Sequence, residues 1–573
     1  MSKTPNYDAA VKKILDPLVP GERVCALTGE KWMMTEEEIG WYKKFNVPPC
    51  LWHPMEQMKF LNGFNTGMAV FWKEDIHGSP TLSSIHPDSP IKIMKDSEWY
   101  ANDMKETRIE INNQPVIEQL WDLLCQVPMC ASRSIDCENS TVVGSVKAED
   151  CYLVNANFSK RCFYSYIIIS CEDTIDAVNA EFIIKSLGVA GSKSVSNGVY
   201  IFESRNIINS AFLFDCWNCE NCFGAANRRN KKYLWWDEQL TKEEWQARFS
   251  TVDLSDEEQM SKYRVKFFGS IVQKAVWPET FSFFNEQSEG ERLSECIRCD
   301  ECFWQNRAVD CFRSRFGLEN NGCMYGSGNG WSVDSYMCVG ELNSNHNKFC
   351  FDCKGIDLEY CIFCIECENC FGCVGLKHAR FFIFNKVYSE LEYWKKLDEL
   401  KCLMLEQGDY GKFFPAKFAL SGFQFSTGEA YIGYSKEDLR RYNAPVFDPA
   451  RGQLLANSRI NEKTINVSEI PKRLAAISAD SFVNVPLFDP EIGRVYSVTS
   501  SEFFQYQKNN WPFPRRHFVS RLIELIRFSN SPLPEKVVCE QCRKTIITYK
   551  NYRFSIRRVY CHDCYLKYLE ENN

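Results

Sequence analysis

Cys539 and Cys542, two residues apart, are followed after eighteen residues by Cys561 and Cys564 at the same spacing. Two such knuckles supply four thiolates that a β-hairpin can gather into a tetrahedron, the closed coordination of structural Zn2+. With every position taken by protein, a metal there supports folding and leaves no open site for catalysis. Tyr549 to Tyr560, between the knuckles, alternates aromatic and basic residues and reads as the joining hairpin. Aromatic faces beside cations suit single-stranded nucleic acid, with Lys550, Arg553, Arg557 and Arg558 as the contacts. A two-faced strand, arginines in solvent and aromatics in the core, accounts for the same alternation.

A second cysteine pattern has a period of three: Cys361, Cys364, Cys367, Cys370 and Cys373, and again Cys296, Cys299 and Cys302. Thiolates at this density suit Zn2+ or an iron-sulfur cluster, which would make the chain a redox protein. Alternatively they line a tight core, where cysteine is a small buried hydrophobe. The core reading is favoured because the element occurs twice without conserving its ligands. Cys216, Cys219, Cys222, Phe223 and Gly224 match Cys364, Cys367, Cys370, Phe371 and Gly372, but Ala225 stands opposite Cys373. The register continues through Thr241 and Ser389, Glu244 and Glu392, and Trp245 and Tyr393, an aromatic strand leading into a helix. Near the N-terminus, Cys25, Cys50 and His53 offer three ligands with no evident fourth.

Catalytic templates fail. Gly188 to Ser194 has the wrong glycine spacing for a phosphate loop, and Gly326 to Gly330 reads as a turn. The seven histidines include no pair four apart on a helix, which argues against a hydrolytic metal centre. Asp300, Asp310, Asp334 and Asp352 stand where a polysaccharide-cleaving repeat protein would carry carboxylates, yet aspartate is ordinary in turns. The chain reads as a non-enzyme.

The elements that position these residues follow from composition and period. At 573 residues and 45% hydrophobic content the chain can bury several cores. Twenty-nine cysteines in a chain that opens without an apolar leader argue for thiolate sites or reduced core cysteines in the cytoplasm, and no apolar run is long enough to cross a membrane. Residues 505 to 573 carry 13 Lys and Arg against 6 Asp and Glu, in a chain whose net charge is -8. A basic end on an acidic body places any nucleic-acid contact there.

Helices are expected at 5–16 and 35–46, the second opened by Thr35 with Glu38 at capping-box spacing. Gly29, Trp32, Thr35, Glu38, Tyr42, Lys44, Asn46 and Pro48 recur without a gap as Gly493, Tyr496, Thr499, Glu502, Tyr506, Lys508, Asn510 and Pro512. Between these modules, short apolar runs at steps of about ten to seventeen residues suggest rungs of a β-solenoid. The expected fold is therefore a mixed α+β multidomain chain with a central β-solenoid-like repeat region. Its segments are an N-terminal α+β region with a degenerate knuckle (1–135), a first solenoid half with a capping helix (136–250), a helix and second half with its cap (251–404), a small mixed connector (405–480), a repeat of the N-terminal module (481–530) and a zinc ribbon (531–573).

The repeated cysteine element with its Ser- or Thr-capped helix resembles a family of large cysteine-rich, zinc-knuckle-containing hypothetical proteins of candidate-phyla bacteria. Cys25 to Glu30, Thr35 to Phe45, Ile85 to Pro90 with Trp99, Tyr410 to Pro415 and Glu502 to Pro514 resemble the same family in the same order. The resemblance implies knuckle modules flanking a repeat body and supplies no activity. His53 and Glu74 stand where that family's N-terminal module has cysteines, and Leu487 to Pro514 has none. Together these features lead to a zinc-stabilised interaction scaffold whose partner is a macromolecule, nucleic acid or protein. An iron-sulfur or thiol redox protein is the alternative.

Overall fold

A computed structural model describes residues 2–66, 70–449, 451–452 and 464–573. Its architecture mixes α and β: fourteen α-helices and many short strands occur among the described residues. The chain divides into two compact units, each built from two separate stretches: Met1–Ala131 with Ser282–Arg451, and Ser132–Phe281 with Gly452–Asn573. Of the 405–480 connector, residues 450 and 453–463 lie outside the described residues, and its start and end belong to different units. No helix among the described residues is long and apolar enough to cross a membrane.

The unit containing Ser132–Phe281 is built on a parallel ladder that advances by an almost constant number of residues. Glu181 pairs with Lys193, Lys193 with Arg205 and Arg205 with Trp217, a step of twelve, while Ile135, Val146 and Asn157 pair at a step of eleven. The sequence suggested steps of about ten to seventeen; the step of the ladder is more regular because apolar runs do not mark it. The chain instead turns every third residue. Asn206, Asn209, Asn218, Asn221, Asn227 and Asn230 have φ between 47° and 56°, a left-handed conformation that asparagine tolerates better than most residues. The first four are followed by inward residues, Ile207, Ser210, Cys219 and Cys222, that are almost wholly buried. The period of three therefore follows from backbone geometry.

Inside the ladder only small or compact side chains fit, and the polar ones complete the backbone. Ser204 N donates to Ser192 Oγ (3.1 Å) and Cys216 N to Ser204 Oγ (3.0 Å), each one step of the ladder on. Cys216 Sγ in turn donates to the Phe214 carbonyl (3.5 Å). On the outside, Asn206 Nδ2 donates to Asn218 Oδ1 (2.8 Å) and Asn218 Nδ2 to Asn230 Oδ1 (2.9 Å), so successive steps are also bridged by side chains. The helix Lys242–Phe249 follows, opened by a Thr241–Glu244 capping box, with Trp245 Nε1 donating to the Leu234 carbonyl (3.1 Å).

The unit containing Ser282–Arg451 holds a second ladder of the same kind. Phe312 pairs with Met324, Met324 with Tyr336 and Tyr336 with Lys348, again twelve apart. Gly326 to Gly330 lies within this ladder, with Ser327 pairing to Arg315 and Val339, so it is no separate turn. The ladder continues through Lys354–Glu359, Ile365–Phe371 and Arg380–Ile383, then a Ser389–Glu392 capping box and the helix Glu390–Glu406. The two matched cysteine elements thus occupy equivalent places at the ends of two ladders.

Each ladder carries one copy of the repeated module on its flank. In the first unit it comprises the hairpin Gly21–Val24 with Lys31–Met34 and the helices Glu36–Phe45 and Pro54–Asn62. In the second it comprises Leu487–Asp489 with Arg494–Tyr496 and the helices Ser500–Asn509 and Phe518–Phe528. Thr35 and Thr499 cap the first helix of each by accepting from Glu38 N (3.1 Å) and Glu502 N (3.2 Å), and Asn46 and Asn510 close it in the left-handed conformation. Aromatic contacts dock both: Trp41 stacks on Phe312 and Phe45 packs on Tyr336 in one unit, and Phe518 stacks on Tyr164 in the other.

Candidate metal centre

The C-terminal cysteines are presented by a short hairpin and a helix. Pro534–Val538 pairs antiparallel with Thr545–Tyr549, and Cys539 and Cys542 lie in the turn between them. Cys561 and Cys564 lie at the start of the helix His562–Asn572. One ligand atom from each of the four lies within 4.8 Å of all the others, and Cys542 Sγ is 3.7 Å from Cys561 Sγ. A tetrahedral Zn2+ with bonds of about 2.3 Å places its sulfurs about 3.8 Å apart, so the thiols already stand at a metal's spacing.

The turn around Cys539 prepares a thiolate. Cys539 N donates to the Lys544 carbonyl (2.9 Å), Arg543 N donates to the Cys539 carbonyl (2.9 Å), and Cys561 N donates to Cys539 Sγ (3.3 Å). Burial opposes ionisation, but backbone N–H groups of Cys542 and Cys561 hold the Cys539 thiol down to about 6. Cys564 moves the other way, pushed up to about 12 chiefly by its hydrogen bond with the Cys561 thiol.

The sequence placed a hairpin over Tyr549–Tyr560, and the structure does not. The hairpin ends at Tyr549, residues 550–557 form a loop, and Arg558–Tyr560 pairs parallel with Val276–Pro278 of the same unit. Asn551 turns the loop, accepting from Arg553 N (3.0 Å) and Phe554 N (2.8 Å) and donating to the Phe528 carbonyl (2.8 Å). An alternating sequence is ambiguous between strand and loop when its polar residues find intramolecular partners.

Three of the four basic residues proposed for nucleic acid are so engaged. Arg553 pairs with Glu524 and lies 3.9 Å from the Phe268 ring centroid. Arg557, with only 4% of its side chain exposed, donates to the Tyr549 carbonyl (2.6 Å) and pairs with Glu535 (3.3 Å). Arg558 pairs with Glu540 (3.4 Å). Lys550 is exposed.

The ribbon is fastened to the end of the ladder in its unit. Tyr565 donates to Asp215, which also pairs with Arg229 (2.9 Å) and accepts from Asn227 Nδ2 (2.7 Å). Trp277, beside the paired strand, packs against Phe214, Phe281, Phe528 and Phe554. Thr548 Oγ1 and His562 N both bond Glu279, at 2.7 and 3.0 Å.

Cys25, Cys50 and His53 do not form a comparable set. Cys50 Sγ turns to Gln57 Oε1 (3.1 Å), and burial pushes its thiol up to about 12. The His53 ring instead caps its helix, Nδ1 accepting from Met55 N (3.1 Å). Yet the turn at Cys25 is the ribbon's turn: Cys25 N donates to the Glu30 carbonyl (2.7 Å) and Gly29 N to the Cys25 carbonyl (2.9 Å). Burial opposes it, but the Thr28 hydroxyl and the His53 N–H hold the Cys25 thiol below its ordinary range.

In the module near the C-terminus Asp489 takes that place. Its Oδ1 accepts from Glu491 N (2.9 Å) and its Oδ2 from His517 N (2.8 Å), while His517 caps the next helix through Val519 N (3.2 Å). One hairpin-and-helix element thus occurs three times. The positions that correspond to the four ribbon cysteines are Cys25, Thr28, His53 and Glu56 in the first copy and Asp489, Ile492, His517 and Ser520 in the second. The sequence repeat running from Gly29 and Gly493 reaches His53 and His517 if extended without a gap, a signal that a search for cysteines alone misses.

The period-three cysteines are free thiols in hydrophobic cores with Leu, Ala and Phe. Cys361, Cys367, Cys370 and Cys373 each donate to the carbonyl two residues back and lie 3.4–3.7 Å from a carbonyl nine residues on. Among the described residues two groups bring three or more ligand atoms within 4.8 Å: the ribbon cysteines, and Cys338, Glu341 and Cys350.

No protein-family model and no curated protein matches the chain. Among solved structures, a proposed acetyltransferase from Desulfovibrio desulfuricans G20 is 10% identical over 48% of this chain and 81% of its own, with a TM-score of 0.11. A score that low carries no argument about fold or activity.

Proposed function

We propose that the protein is a non-enzymatic scaffold of the cytoplasm in which the two ladders are β-solenoid coils and a Zn2+-bound ribbon locks one of them. The reading rests on one observation: four thiols at tetrahedral spacing, in an element joined to its ladder through a strand pair, a tryptophan and a buried aspartate. A closed four-thiolate site holds structure and offers no open coordination position. The partner is a macromolecule met by the coil surfaces, and a protein fits better than nucleic acid because Arg553, Arg557 and Arg558 already have intramolecular partners.

Elemental analysis of protein purified anaerobically, beside a Cys561→Ser/Cys564→Ser variant, tests the zinc. Loss of zinc in the variant is expected, and unchanged metal content overturns the ribbon assignment. Titration with a labelled single-stranded oligonucleotide at low and high salt separates the partner classes. Salt-sensitive binding that weakens in Lys550→Glu would favour nucleic acid. The iron-sulfur reading predicts visible absorption after anaerobic reconstitution; thiols hydrogen-bonded to carbonyls throughout the coils favour colourless protein.

A further inference from the structure

Every third residue from Leu293 to Cys353 points into the second ladder, and the series consists of Leu, Cys, Gln, Ala, Ser, Gly and Asn with one exception. Glu341 is the one charged residue among them, and it is fully buried. Its Oε1 accepts from Asn347 Nδ2 (2.8 Å), whereas its Oε2 has no hydrogen-bond partner. Ser335 faces the carboxylate; its hydroxyl donates to the Val333 carbonyl (3.4 Å), which leaves its oxygen able to accept a proton from a neutral Glu341, the alternative to a bound cation.

What does lie beside Glu341 is a pair of sulfurs. Cys338 and Cys350 occupy the same inward place on successive coils, both fully buried, and their Sγ atoms and a Glu341 oxygen lie within 4.8 Å of one another. Elsewhere in this series the inward cysteines have uncharged neighbours, such as Leu293, Gln305, Ala308 and Asn320; here two thiols and a carboxylate converge.

We propose that Cys338, Cys350 and Glu341 bind a second metal ion inside the coil stack, a borderline-soft divalent cation of the zinc class. Two sulfurs and one oxygen are donors Zn2+ accepts, and the Asn347 bond fixes the carboxylate as outer partners fix metal ligands. Binding replaces protons with the cation: Cys338 and Cys350 give up the S–H groups now directed at the Tyr336 and Lys348 carbonyls (3.3 and 3.4 Å), and no redox change occurs. Because the ligands are sealed, the ion enters as the coils form and resists chelators afterwards.

The test is metal content after prolonged dialysis of the intact chain against EDTA, in wild type, Glu341→Gln and the Cys561→Ser/Cys564→Ser ribbon variant. The expected result is one chelator-resistant ion in wild type and in the ribbon variant, absent in Glu341→Gln. Equal metal content in wild type and Glu341→Gln, with no fall in melting temperature, overturns the proposal and identifies Glu341 as a protonated core residue. If Glu341→Gln does not fold, Cys350→Ser answers the same question. The ribbon variant is read on its own, so failure of the ribbon assignment and failure of this one are separable. Cobalt-grown ribbon variant adds a spectroscopic check: thiolate-to-cobalt absorption remains if this site is filled and vanishes if it is not.

Discussion

The two copies of the repeated module sit on their ladders in the same way but settle the same buried carboxylate differently. In the first unit Tyr42 OH donates to Glu38 Oε1 (3.0 Å), and Arg313 lies 3.0 Å from Oε2. In the second Tyr506 OH donates to Glu502 Oε1 (2.9 Å), and a neutral donor, Tyr164 OH, reaches Oε2 (2.8 Å). Lys44 meets Asp334 in one and Lys508 meets Asp173 in the other, so the outer ion pair is retained while the inner one is replaced. One docking mode accommodates either an ion pair or a neutral hydrogen bond at its centre; Glu38 Oε2 has the ion pair without a hydrogen bond.

The same comparison orders the perturbations. Removing metal with Cys561→Ser/Cys564→Ser should act most strongly, since structural zinc contributes ~10 kcal/mol in small modules at neutral pH. Calorimetry should show the transition of the ribbon's unit lowered or lost while that of the other unit persists; an unchanged scan would mean the ribbon folds without metal. Next comes Arg313→Met, which leaves Glu38 buried without its cation and is expected to destabilise by about 3–5 kcal/mol in urea unfolding. If it costs no more than Tyr164→Phe, the charge pair does not distinguish the two modules.

Glu502 supplies a pH signature of somewhat smaller size. Burial outweighs Arg521 and the Tyr164 and Tyr506 hydroxyls and raises its carboxyl from 4.5 to about 7. Above 4.5 the unfolded chain has released a proton that the folded chain still holds. Its contribution is therefore complete below 4.5 and is lost as pH rises through about 7, a change of about 3 kcal/mol. Unfolding measured from pH 4.5 to 7.5 should show this slope in wild type and its loss in Glu502→Gln; a slope that survives the substitution assigns it elsewhere. Tyr164→Phe is the mildest change, removing one donor from Glu502 at about 1–3 kcal/mol.

Much of the four-cysteine cluster was legible because spacing is chemistry there: two residues between cysteines set the turn that presents both sulfurs. The helices at Thr241, Ser389 and Thr499 were legible for a similar reason, since a hydroxyl and a glutamate three residues on satisfy the first turn locally; at Thr35 the hydroxyl does so alone, because Glu38 turns inward to Tyr42. The loop at 550–557 was not, because Arg553 and Arg557 take partners, Glu524 and Glu535, that are remote in sequence. The step of the ladder was misread because aromatic and apolar residues such as Phe158, Phe182 and Ile208 are exposed. Hydrophobic runs therefore did not mark the inward positions, which are set by a left-handed residue every third place.

By itself the sequence determined the four-cysteine ribbon, the two cysteine elements 148 residues apart and the module repeat, all written in local spacing. Tertiary structure alone decided what those repeats do. It put one module on each ladder, answered Glu38 with an arginine and Glu502 with a tyrosine, and brought Glu341 beside Cys338 and Cys350. The reason is physical: local spacing fixes turns and caps within a few residues, whereas the charge state and partners of a buried group depend on which distant segments exclude water from it.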